Sequence, residues 1–192
     1  MNTKNLEEII DFNNQFVDNE EYLKYQSSKT PDKKIAIVTC MDTRLTELLP
    51  QALNIKNGDA KIIKNAGGNI VHPFGSAMRS IIVAVYSLEV EEVFIIPHYD
   101  CGVCNFDADK IIGEMIDRGV EESTIDNLRH SGIDINKWLH GFDDVTESLY
   151  KSVSIAKNHP LMPKNIPIHG MIIDPTTGKL DLIINGWDEV EN

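Results

Sequence analysis

Cationic residues are scarce in this chain. Lys and Arg total 18 against 30 Asp and Glu, which leaves a net charge of −12 over 192 residues. Nucleic acid needs a basic footprint, and anionic membrane surfaces draw on the same charge, so neither is expected as a partner. The excess of acid favours solubility and says little about substrate. Long apolar runs are missing too, and none approaches the ~20 residues of a membrane span. Residues Met1 to Glu8 lack the apolar core of a signal peptide, and a cytoplasmic location is expected. Cysteine is limited to Cys40, Cys101 and Cys104. An odd number without an export signal is a poor disulfide framework, so metal binding or redox chemistry is the better expectation. Internal repeats and low-complexity segments are absent.

What is present is a succession of strand and helix patterns. Leu6, Ile9, Ile10, Phe12, Phe16, Tyr22, Leu23 and Tyr25 recur at roughly helical spacing in one or two segments. This arm, over residues 1–30, either packs on a neighbouring subunit or covers its own sheet. Ser28 to Asp32 is a linker. Ile35 to Thr39 reads as a buried strand, followed by a helix from Thr43 to Leu53 and a turn at Asn57-Gly58-Asp59. Ala60 to Asn65 is a second strand, ending in Ala66-Gly67-Gly68. Pro73 opens a mostly apolar helix that runs to Leu88, and Glu92 to Ile96 is the third strand. Residues 107–158 are polar and helical, broken near Gly119, Ser131-Gly132 and Gly141. Ile166 to Ile173 forms a fourth β unit. The turn at Asp174 to Gly178 then returns Lys179 to Ile184 antiparallel. Repeated strand-then-helix units argue for an α/β fold. The expected architecture is a mainly parallel sheet flanked by helices, with a C-terminal antiparallel strand and an N-terminal helical arm. It is read as one domain over 1–192, with its core at 33–187.

Two strand ends carry reactive side chains. The first delivers Cys40, Asp42 and Arg44, and the third delivers His98 and Cys101. Ligands bind at this edge of open α/β sheets. Two thiolates and an imidazole suit zinc, and three protein ligands would leave the fourth position open, as in a catalytic site. Cys104, three residues beyond Cys101, would also suit a fourth ligand and a closed structural site. Asp42 and Arg44 taken alone could be a charge pair at a helix N-terminus.

The pattern C-x-D-x-R at Cys40, Asp42 and Arg44, with H-x-x-C-G at His98, Cys101 and Gly102, resembles the signature of the β-class carbonic anhydrases. Gly58-Asp59-Ala60, Asn65-Ala66-Gly67-Gly68, Arg79-Ser80 and Asp100 extend the likeness towards the short bacterial and archaeal members. It is strong over residues 34–104, and reaches the terminal hairpin by order of elements only. The resemblance implies one zinc per chain on Cys40, His98 and Cys101, with Asp42 and Arg44 as the dyad beside it. Reversible hydration of CO2 to bicarbonate by a zinc-bound hydroxide is the implied reaction. Released from Arg44, Asp42 could become a fourth ligand and close the site. Gly102 would offer its backbone N–H to substrate, and the turn containing Gly67 would wall the pocket. Similar enzymes are dimers or higher even-numbered assemblies, so a homo-oligomer is expected.

Two other functions stay open. COS or CS2 hydrolysis uses the same constellation in relatives of that family. Cys101-x-x-Cys104 also matches a dithiol oxidoreductase motif, with Cys101 attacking and Cys104 resolving, although that reading leaves Cys40, Asp42, Arg44 and His98 without a role. His72, beside the glycines, is a candidate proton shuttle, or simply a surface-turn histidine. His130, His140, His159 and His169 lie in no motif and read as surface or structural.

Overall fold

The computed structural model describes residues 4–190; Met1 to Thr3, part of the N-terminal stretch read above, lie outside them. Five strands form one sheet: β1 (Ile35–Cys40), β2 (Ala60–Asn65), β3 (Glu92–Ile96), β4 (Ile168–Ile173) and β5 (Leu180–Ile184). Their order is β2-β1-β3-β4-β5. The first four are parallel and β5 pairs antiparallel with β4.

The order has a functional consequence. The chain leaves β1 in one direction to form β2 and then returns to β1's other side to form β3. The connecting helices therefore lie on opposite faces, and a crevice opens beyond the C-terminal ends of β1 and β3. Helix α2 (Leu45–Ala52) buries Leu45 and Leu49 on one face with Ile37, Ile96 and Ile173. Helix α3 (Ser76–Ser87) sets Met78, Ile81 and Ala84 against Ala36, Val38 and Ile95 on the other.

The helix expected from Pro73 starts later, at Ser76, with Gly75 as its cap. Pro73 and Phe74 form a turn instead, in which the Phe74 N–H donates to His72 Nδ1 (3.1 Å). The apolar pattern misplaced this boundary because Phe74, though apolar, is 70% exposed. Helix α2 is also shorter than expected, since Asp42 uses the Thr43-Arg44 turn for its own bonds.

The polar stretch becomes α4 (Ala108–Asp117), α5 (Glu122–His130), α6 (Ile135–Leu139) and α7 (Val145–Lys157). The breaks fall at Gly119 and Gly132, both with positive φ, and at Gly141. Helices α4, α5 and α6 form a small module around Ile112, Ile125 and Ile135, while α7 joins the sheet through Leu149, Val153 and Ala156. The N-terminal arm is α1 (Lys4–Asp18) followed by a short 3-10 turn at Glu21–Tyr25. No residue of α1 is buried, so within one chain it does not cover the sheet. Among the described residues no helix is long and apolar enough to cross a membrane.

Candidate metal centre

Cys40 is the last residue of β1, level with Asn65 at the end of β2. The next turn must pass very close to it. Asn65 Nδ2 donates to the Asn69 carbonyl (2.7 Å) and the Asn69 N–H donates back to Asn65 Oδ1 (3.2 Å). These two bonds bracket Ala66-Gly67-Gly68. Gly68 has φ +62, and a Cβ there would stand 2.6 Å from the Cys40 backbone N. Only glycine fits.

His98 and Cys101 follow β3. The sulfurs of Cys40 and Cys101 lie 3.8 Å apart. With His98 they form a buried group whose ligand atoms all fall within 4.8 Å of one another. His98 Nδ1 donates to the Tyr99 carbonyl (2.8 Å), which leaves Nε2 as the lone pair facing the sulfurs. That nitrogen is wholly buried and has no hydrogen-bond partner, an arrangement that costs free energy unless something electrophilic meets it. His159 and His169 also bury an unpartnered Nε2, but neither belongs to a Cys/His group among the described residues.

The thiols show the same demand. The bond shared with Cys101 holds the Cys40 thiol far below its ordinary range, at about 4, against the effect of burial. Backbone N–H groups of Asp42 and Gly67 point at the same sulfur and reinforce this. The shared bond and burial push Cys101 up. Two sulfurs holding one proton beside a bare imidazole nitrogen are a donor set suited to a thiophilic cation such as Zn2+.

Asp42 and Arg44 stand at the rim. The Arg44 backbone N–H donates to Asp42 Oδ1 (2.8 Å), and Arg44 Nε and Nη2 donate to its two carboxylate oxygens (3.1 and 2.9 Å). The charge-pair reading of these residues and the dyad reading thus describe one geometry. Arg44 is anchored a second time: Nη1 donates to Asp100 Oδ2 and Nη2 to the Asp100 carbonyl, both at 2.9 Å. Sequence reasoning used Asp100 only to extend a likeness and missed this contact, whose one signal was an acid directly preceding Cys101. Asp42 Oδ2 also lies 3.7 Å from His98 Nε2, so the carboxylate borders the metal group while bonded to Arg44.

Hydrogen bonding from Arg44, foremost, lowers the Asp42 pKa to about 2. A depressed carboxylate contributes stability that is complete above its unfolded pKa of ~3.9 and is lost as pH falls through its folded value. Half-exposed Arg44 screens the pair, so the contribution is about 1 kcal/mol. In urea unfolding of metal-free protein, the gap between wild type and Asp42→Asn is expected to be flat above pH ~4.5 and to close towards pH ~2. A gap that widens on acidification would contradict the pairing.

Cys104 is not part of the metal group. Its Sγ donates to the Asp143 carbonyl and accepts from Asn105 Nδ2, both at 3.5 Å. The sulfur facing Cys101 is that of Cys40, and all three cysteines are free thiols. Gly102 has nothing within 4 Å of where a side chain would stand. His72 sits exposed in its turn, its Nδ1 accepting from the Phe74 N–H.

Comparison with known proteins agrees with this geometry. The sequence profile of the family described as "Carbonic anhydrase" matches residues 35–180, which contain every site residue named above. YtiB of Bacillus subtilis, a protein named provisionally as a carbonic anhydrase, is 52% identical over 183 residues, covering 95% of this chain and 98% of that one. A carbon disulfide hydrolase of Saccharolobus solfataricus is 34% identical over 161 residues, covering 78% of this chain and 76% of that one. The crystal structure of β-carbonic anhydrase isoform I from Trichomonas vaginalis superposes with a TM-score of 0.86 at 38% identity, covering 94% of this chain and 98% of that chain. Strand order, the Cys/His/Cys group, the Asp/Arg pair and these matches converge on one assignment: the chain belongs to the β-carbonic anhydrase family.

Proposed function

We propose that this chain binds one Zn2+ through Cys40, His98 and Cys101 and catalyses the reversible hydration of CO2 to bicarbonate. The observation that carries the reading is the pairing of a buried, unpartnered His98 Nε2 with two sulfurs 3.8 Å apart, bordered by an ionised carboxylate. When bound, zinc supplies a Lewis acid that brings a water's pKa towards ~7.

The chain's own residues do the rest. Asp42 stays ionised at any neutral pH and can therefore only accept a hydrogen bond from the attacking water, which fixes the direction of that water's lone pair towards substrate. Arg44 orients Asp42 and, held itself by Asp100, keeps the carboxylate turned to the guanidinium. To become a ligand, Asp42 would have to give up three bonds from Arg44; this favours the open site. Gly67 supports the thiolate of Cys40 and, lacking a side chain, leaves room for substrate. The Gly102 N–H is the donor for bound bicarbonate.

A second copy of the chain completes the assembly. Helix α1 exposes Leu6, Ile9 and Phe12, the last 65% exposed, and β2 is an edge strand with Ile62 exposed. Apolar stripes left open on a helix and a sheet edge mark association surfaces, and a homodimer or a higher even-numbered homo-oligomer fits them.

The relatives named as carbon disulfide hydrolases support a second reading, CS2 or COS hydrolysis on the same metal group. The experiment is a CO2 hydration assay on zinc-loaded protein with COS and CS2 as competing substrates. CO2 turnover that exceeds either hydrolysis supports the proposal. CS2 turnover without CO2 hydration would overturn it.

A further inference from the structure

A residue that belongs to no motif packs in the apolar cluster that holds Cys40 and Cys101. The segment after α6 pairs with the ligand loop. The Phe142 N–H donates to the Val103 carbonyl (3.3 Å), and the Asn105 N–H donates to the Phe142 carbonyl (2.9 Å). Gly141 makes this approach feasible, because any Cβ there would overlap the Val103 carbonyl. The clip turns the Phe142 ring inward to 7% exposure, into the same apolar cluster as Cys40 and Cys101.

The ring stands beside the metal site. A Cβ built on Gly67 would lie 3.2 Å from Phe142 Cε1 and 3.1 Å from Val103 Cγ2, and the Gly67 N–H points at the Cys40 sulfur. Phe142 also lines a cavity of about 390 Å3 together with Asn69, Val71, His140 and Ser148.

We propose that Phe142 is a specificity-determining wall. Its ring limits the length and girth of the linear triatomic molecule that fits beside the metal group, favouring CO2 over COS and CS2, whose sulfur atoms are larger. The inference rests on the hydration chemistry proposed above, in which the metal group treats these substrates alike and the apolar wall must separate them. Apolar walls discriminate by about 10–200-fold per small group, which sets the size of the effect.

The test compares zinc-loaded wild type, Phe142→Leu and Phe142→Ala, matched for metal content. Phe142→Leu keeps the apolar packing should the smaller residue fail to fold. The COS-to-CO2 ratio of kcat/KM is expected to rise about 10-fold or more in Phe142→Ala and by less in Phe142→Leu. A separate readout needs no turnover. In metal-free protein, alkylation of Cys40 by iodoacetamide, located by mass spectrometry, is expected to be about 10-fold faster in Phe142→Ala, the fold-change set by opening the wall. Equal losses for both substrates with an unchanged Cys40 alkylation rate would show a merely structural residue and overturn the proposal. Absence of CO2 hydration in wild type would refute the proposed function instead, with the alkylation rates still deciding whether Phe142 is the wall.

Discussion

Asp42→Ala and Arg44→Ala are each expected to lower kcat/KM for CO2 hydration by about 10²–10⁴-fold, the range for a positioned proton acceptor, while zinc stays bound at one per chain. Neither residue belongs to the Cys40, His98 and Cys101 group that could hold the metal, so metal content should not follow activity. The two variants fail for different reasons. Asp42→Ala removes the proposed acceptor for the attacking water. Arg44→Ala keeps the acceptor but removes the two guanidinium bonds that hold it, freeing the carboxylate, whose Oδ2 already lies 3.7 Å from His98 Nε2, to turn to the metal group. Asp100→Ala should have a smaller effect, about 10-fold, because it loosens Arg44 without removing the dyad. Wild-type turnover in either dyad variant at full metal occupancy would sink the assignment.

Gly68→Ala is expected to destabilise the fold by about 3 kcal/mol or more, and to weaken metal binding with it. Two costs combine. A non-glycine residue in the left-handed region costs ~1–2 kcal/mol. The added Cβ, 2.6 Å from Cys40 N and 2.9 Å from Thr39 C, must then push β1 or the turn aside, which costs a further ~1–3 kcal/mol. The displaced atoms belong to the strand end that carries Cys40, a proposed metal ligand, so stability and affinity should fall together. Gly102→Ala is the control: nothing lies within 4 Å of its side-chain position, and its unfolding free energy in urea should stay within about 0.5 kcal/mol of wild type. Equal effects of the two substitutions would mean that the Gly68 turn is not the tight approach described here.

The parts of this architecture that were legible in the sequence are those where local pattern and tertiary context agree. Ala60–Asn65 and Glu92–Ile96 were read with their observed limits, because short apolar runs bounded by turn residues admit few other placements. The meeting of Cys40, His98 and Cys101, with Asp42 and Arg44 beside them, was visible because strand ends at one sheet edge converge whatever the details of packing. The start of α3 was not. Phe74 continues the apolar spacing, yet Gly75 caps the helix and leaves it outside. The direction in which Asp42 points was also unreadable, since it is fixed by Asp100, far along the chain, holding the other side of Arg44. Phe142 was missed for a similar reason. Its proximity to the metal group comes from backbone pairing between segments separated by three helices, and only the break at Gly141 left a trace in the sequence.

X-ray absorption at the zinc edge of the stoichiometrically loaded protein tests the metal centre most directly. The Cys40, His98 and Cys101 group requires two sulfur scatterers at about 2.3 Å and nitrogen or oxygen scatterers at about 2.0–2.1 Å. A third sulfur in the shell would place Cys104 on the metal, close the fourth position and contradict the account.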